Sequence, residues 1–228
     1  MRKILFLIIF FVSGACDGQQ KGTIMKKEII KKSYKKQIIS DEINRAESEI
    51  YDENTGVYSN FKYLVSFKKP KGWASDFGSG QFTLFRTYQI DSGYTMSLNV
   101  VETDLYPKKG FNAHELFDKV GKQSLIKNIM KAFESQEDWS KPKNFNVKKS
   151  YLNNNPVIKQ TYQTMHREDE FEFELTNINF QFVKSGNIIT LSLIVPTFFF
   201  NEDESFFNSL FLINFLPDKN EMINSLKK

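Results

Sequence analysis

Cysteine is almost missing from this chain of 228 residues: Cys16 stands alone, so no intramolecular disulfide can form and no cysteine pair can hold a metal. Imidazole is nearly as scarce, with His114 and His166 the whole supply. No apolar run approaches the roughly 20 residues that span a bilayer as a helix; Ile4 to Val12 is a run of nine. Gly-x-Ser-x-Gly and a phosphate-cradling glycine loop are both absent, and Gly78-Ser79-Gly80 lacks the strand-to-helix context of a nucleophile elbow. A strong charge of one sign is missing too. The formal net charge is +4, and the one strongly basic stretch, Lys21 to Lys36, lies near the N-terminus, so nucleic-acid binding is not expected of the rest.

Aromatic residues, by contrast, are plentiful. The chain holds 23 Phe, and an aromatic share of 15% fits a thick apolar core and not a disordered chain. Its length suffices for one well-filled core or two small ones. The reading is a signal peptide at 1–15, a charged tether at 16–56, one globular domain at 57–217 and a polar tail at 218–228.

Met1-Arg2-Lys3 is a short positive segment, Ile4 to Val12 an apolar one, and Ser13-Gly14-Ala15 the small residues a signal peptidase accepts. The chain is expected to be exported. Ser13-Gly14-Ala15-Cys16 resembles the lipobox of bacterial lipoproteins, in which the cysteine sulfur receives a diacylglyceryl group and becomes the mature N-terminus. That resemblance implies lipid attachment at Cys16 and a place in the bacterial cell envelope, anchored to the inner or the outer membrane. Ser13 stands where an aliphatic residue is usual, with Val12 one step earlier. Ordinary cleavage after Ala15, which the same small residues permit, is the alternative and gives a soluble exported protein. Several acyl chains, at about 0.8 kcal/mol per buried CH₂, would hold the protein on its membrane.

Lys21 to Lys36 carries seven Lys and one Glu, 7 − 1 = +6; Ser40 to Glu53 carries six acids and Arg45, 1 − 6 = −5. Ile30, Tyr34, Ile38, Ile39, Ile43, Ala46 and Ile50 recur at helical spacing. One long helix would nevertheless set lysines at its positive end and acids at its negative end. The segment reads as a flexible tether with a helix from about Asp41. It serves as a solvated spacer or lays its lysines on anionic headgroups.

Phe61, Tyr63, Val65 and Phe67 alternate with Lys62, Ser66 and Lys68 as a strand, with only Leu64 out of pattern. Pro70 ends it. A strand at 81–90, a turn at Asp91-Ser92-Gly93 and a strand lined by Tyr94, Met96, Leu98 and Val100 follow. Asn112 with Glu115 is a capping box opening the main helix, whose apolar stripe is interrupted at Gly121. Four strands come next, the last two joined at Ser185-Gly186-Asn187. Asn201 with Glu204 caps a closing helix whose inner face is Phe206, Phe207, Leu210 and Phe211. This order predicts an α+β fold with an antiparallel sheet of about six to seven strands and two main helices.

A strand running into Pro70-Lys71-Gly72-Trp73, a meander, a long helix, antiparallel strands and a closing strand and helix together resemble the PsbP-like α/β/α sandwich, over roughly Val57 to Phe215. That fold is named for an extrinsic subunit of photosystem II and is shared by bacterial envelope proteins and secretion chaperones. The resemblance implies an assembly, adaptor or binding role without chemistry.

Candidates for chemistry are few. His114 and Asp118 lie at i and i+4, like a zinc helix with its second histidine replaced, but Glu115 already serves the cap. His166-Arg167-Glu168-Asp169-Glu170 lacks calcium-loop spacing and reads as an acidic hairpin tip. No catalytic residue, metal ligand or cofactor is assigned. The candidate binding surface is Phe198-Phe199-Phe200 with Trp73 nearby, because alternation cannot bury three consecutive aromatics on one face. The plainer reading buries all three in core. The expected function is a non-catalytic, membrane-tethered envelope lipoprotein that binds a protein or peptide partner. Its rivals are a carrier or chaperone for an apolar ligand and, further off, an envelope hydrolase.

Overall fold

A computed structural model describes residues 48–77, 82–103, 111–134, 136–168, 171–202 and 204–216. The signal peptide, Cys16, most of the tether and the tail at 218–228 lie outside the described residues. Among those residues, no helix is long and apolar enough to cross a membrane. In chain order the elements are β1 (Glu49–Asp52), β2 (Val57–Asn60), β3 (Val65–Lys68), β4 (Ala74–Phe77), β5 (Thr83–Gln89), β6 (Tyr94–Glu102), α1 (Ala113–Val120), α2 (Lys122–Phe133), β7 (Lys143–Leu152), β8 (Asn155–Glu168), β9 (Phe171–Lys184), β10 (Asn187–Pro196), α3 (Thr197–Glu202), α4 (Glu204–Ser209) and β11 (Ile213–Phe215). The structure is more sheet-rich than expected. It has a four-stranded and a seven-stranded antiparallel sheet, and in place of a closing main helix there are two helices of six residues. The described residues fall into two compact units, one from Lys69 to Ile213 and one holding the residues to Lys68 and from Asn214.

The first unit is built on the seven-stranded sheet, in the order β4-β5-β6-β10-β9-β8-β7. At its centre β9 and β10 form the expected hairpin, with Lys184 opposite Asn187. Ser185 and Gly186 take the left-handed conformations of the two-residue turn, at φ 51° and 81°, and Asn187 already belongs to the strand. One face of the sheet is apolar: Phe85, Met96, Leu98, Val100, Ile178, Phe180, Leu191 and Leu193 are all buried. Helix α4 lies on that side, held by Lys159 Nζ to Asn208 Oδ1 at 3.3 Å and to Glu204 Oε1 at 3.6 Å.

Helices α1 and α2 cover β7, β8 and β9 on the other face. Their start follows the sequence closely. The Asn112 side chain accepts from the backbone N–H of His114 at 2.9 Å and of Glu115 at 3.2 Å, and the Asn112 N–H donates to the Glu115 carboxylate at 3.0 Å. Gly121, at φ 80°, breaks the expected single helix into two and lets both apolar stripes reach the sheet. Leu116, Leu125, Ile129 and Phe133 then pack with Val147, Ile158, Tyr162 and Val183. Asn112→Ala is expected to cost about 1 kcal/mol in urea-melt stability through loss of the cap.

Burial pushes the Tyr162 phenol up to about 12, with the amide donated by Asn179 opposing the rise. An acid whose folded pKa is raised holds its proton more tightly when folded, so its stabilisation is intact below about pH 10 and lost as pH rises toward 12. Alkaline titration followed at the tyrosinate absorbance should show one tyrosine ionising only with unfolding. That late step should vanish in Tyr162→Phe.

In the second unit β1, β2, β3 and β11 form a sheet in that order. The end of the expected tether, Glu49 to Asp52, is strand paired antiparallel to β2, while residues 41–47, where a helix is expected, lie outside the described residues. Tyr58 donates its hydroxyl to Glu49, which gives this stretch a buried polar anchor. The strand expected from Phe61 begins instead at Val65, because 61–64 is the turn between β2 and β3. Leu64, the residue that broke the alternation, stands at φ 55°.

Candidate binding surface

The aromatic triplet is neither all buried nor all exposed. Pro196 ends β10, the chain turns into α3, and helical phase separates the three rings: Phe198 is 67% and Phe199 43% exposed, while Phe200 is 8% exposed. Seven residues further on, in α4, the same division recurs: Phe207 is buried, but Phe206, expected on the inner face, is 46% exposed. Phe200 and Phe207 form the inner stripe, ring centroids 6.2 Å apart; Phe199 and Phe206 continue the outer one.

Tyr94, at the start of β6, is the hub. Its ring lies 6.2 Å from Trp73, 5.8 Å edge-on to Phe199 and 5.1 Å edge-on to Phe207. Phe198 extends the cluster from Phe199 at 5.7 Å, and Phe206 extends it from Phe207 at 5.3 Å. Trp73 is buried and joins the site from below, through Tyr94, and not as part of the exposed face. Edge-on pairs of this kind contribute about 0.5–1.5 kcal/mol each beyond burial, so the outer rings rest on a stiff base. Tyr94 was legible in the sequence only as one side chain of a strand face. What brings it to Phe199 is the antiparallel pairing of β6 with β10, which sets Thr95 opposite Ile194.

The two histidines are engaged separately. His114 Nε2 lies 2.8 Å from the Ser150 carbonyl of β7 and its ring meets Tyr151 edge-on at 5.0 Å; Asp118 pairs with Lys149 at 2.6 Å. His166 stacks on Trp139 at 4.5 Å, and its neighbour Arg167 pairs with Glu172 across the hairpin. Ser150 faces Val157, so roughly 30 Å of β8, at about 3.3 Å per residue, separates the two imidazoles. No group of three His, Cys, Asp or Glu able to hold a metal occurs among the described residues.

A polar feature on the opposite sheet face was not foreseen. Cross-strand register lines up Asp76, Arg86, Ser97, Ser192, Asn179 and Gln160 on six successive strands. Thr83, Asn99, Thr190 and Gln181 form a second row beside the first. Polar though they are, Gln160, Asn179, Gln181, Thr190 and Thr83 are buried.

No family model matches the sequence, and no curated protein matches it. The fold has a solved counterpart. The solution structure of cyanobacterial PsbP (CyanoP) from Synechocystis sp. PCC 6803 superposes with a TM-score of 0.52 at 16% identity, over 70% of this chain and 91% of that one. The fold is thus PsbP-like, in line with the sequence resemblance.

Proposed function

We propose that this is a lipid-anchored protein of the bacterial envelope whose PsbP-like fold works without chemistry, as a binding or assembly module. Its partner is a protein or peptide that seats on Phe198, Phe199 and Phe206. The observation that carries this reading is the sorting of the aromatic run, with Phe200 and Phe207 buried while Phe198, at 67% exposed, and its outer neighbours face water. Burial of all five would stabilise the fold by about 1.5–3 kcal/mol per ring, so a fold that withholds three leaves that apolar area for another molecule. Exposed rings set on buried rings have the make-up of interface hot spots. The outward aim of Phe198 and Phe199 favours a docking face over a carrier's enclosed cavity. The separate engagement of His114 and His166 supports the non-catalytic reading over a hydrolase.

Crosslinked envelope complexes, purified through the full chain, test this. The double variant Phe198→Asp/Phe199→Asp is expected to keep its melting temperature within a few degrees and to lose its partner at least ~30-fold, as loss of about 2 kcal/mol from even one anchor requires. Equal partner recovery by the variant and the wild type would overturn the reading.

A further inference from the structure

We propose that the polar band on the face of the seven-stranded sheet opposite the aromatic cluster binds a small uncharged ligand that carries hydroxyl and amide groups together, as an N-acetylated sugar does. A sheet face covered by helices is ordinarily apolar, because burying an amide without a partner is costly. Here the middle of that face is built from amides and hydroxyls in register across five strands, from β5 to β8, with the Asp76–Arg86 pair at its edge. Part of the band is satisfied internally. Thr83 Oγ1 meets Asn99 Oδ1 at 2.8 Å, Asn99 Nδ2 donates to Ser97 Oγ at 2.9 Å, and Asn177 Nδ2 donates to Thr164 Oγ1 at 3.1 Å.

The closed end is not. Gln160 Nε2 donates to Gln181 Oε1 at 2.7 Å, which leaves Gln160 Oε1 and Gln181 Nε2 without a partner although both residues are at most 1% exposed. Exchanging N and O in both amides again leaves one acceptor and one donor, so the outcome does not depend on their orientation. An acceptor beside a donor is the complement of an amide or of a hydroxyl, each of which donates and accepts at once. The only charges in the two rows are Asp76 and Arg86, which neutralise each other through Nε to Oδ1 at 3.2 Å and Nη2 to Oδ2 at 2.9 Å. That balance selects against a charged ligand. Ser97, Asn99 and Ser192 are only half-buried, which puts the open end of the band at β6 and β10, away from β8, where α1 packs.

Thermal shift of the full chain against N-acetylglucosamine, glucose and acetamide is the test, with Gln160→Met/Gln181→Met and Ser97→Leu as variants. N-acetylglucosamine at millimolar concentration should raise the wild-type melting temperature by a few degrees, more than glucose or acetamide does. Gln160→Met/Gln181→Met should melt higher than wild type without ligand, since two unpartnered polar groups are gone, and should lose the ligand-dependent shift. Ser97→Leu should keep the fold and also lose the shift. No shift of the wild type with any probe overturns the proposal, whichever way the variants melt. A shift that persists in the double glutamine variant overturns the site. These variants leave Phe198 and Phe199 untouched, so failure here and failure of the docking surface are read separately.

Discussion

Phe207→Ala is expected to lower the unfolding free energy by about 3–5 kcal/mol, while Phe199→Ala, a ring of the same size in the same cluster, should change it by about 1 kcal/mol or less. Phe207 is 2% exposed and is wedged between Tyr94, Phe200 and Phe206 at 5.1, 6.2 and 5.3 Å. Its removal opens a cavity under two helices of six residues each, which are too short to hold their own hydrogen-bonded turns without tertiary packing. Phe199 gives up mainly surface and its edge-on contacts with Tyr94 and the exposed Phe198. Urea denaturation of both variants measures the difference. Equal losses would mean that the outer ring serves the core and not a partner.

Cys16→Ala should move the protein almost wholly from the membrane fraction to the soluble one. A diacylglyceryl cysteine with further acylation buries dozens of methylenes at about 0.8 kcal/mol each, whereas the lysines of the tether contribute at most about 1 kcal/mol apiece before screening by salt. Lipid therefore dominates charge, and losing it should release the chain even with Lys21 to Lys36 intact. The mass of the mature N-terminal peptide, taken from protein made with its native signal, reads the same point chemically. An unmodified Cys16, or cleavage elsewhere, would make this an ordinary exported protein.

The best-read parts of the chain were those whose signals are local. The capping box at Asn112 and Glu115 and the turn at Ser185-Gly186 depend on a few adjacent residues, and the structure follows both, whereas Gly121, read as a break in the stripe of one helix, separates two helices. Leu64 is instructive: its break in alternation was visible, but the left-handed turn behind the break could not be told from an irregular strand. The closing helix was misplaced because Asn201 and Glu204 have capping spacing, whereas a first short helix already begins at Thr197 and buries Phe200, and a second one buries Phe207.

Non-local features were the hardest to see. Nothing near Glu49 announces its pairing with Asn60. The amide rows through Asn179 and Gln160 exist only once the strand register is known, since each strand alone shows ordinary alternation. For the binding surface, Phe198 to Phe200 and Trp73 were singled out from sequence, and the structure adds which rings face outward and that Tyr94 links them.

The most direct measurement is photo-crosslinking in intact cells from a photoreactive residue placed at Phe199, with the same residue at Ile90 as control. Ile90 is another exposed apolar side chain, in the turn between β5 and β6. A discrete adduct with one envelope protein from position 199, missing from position 90 and abolished by Phe198→Asp, is the expected result. Adducts of equal pattern from both positions, or none from 199, would contradict a docking surface at the aromatic cluster.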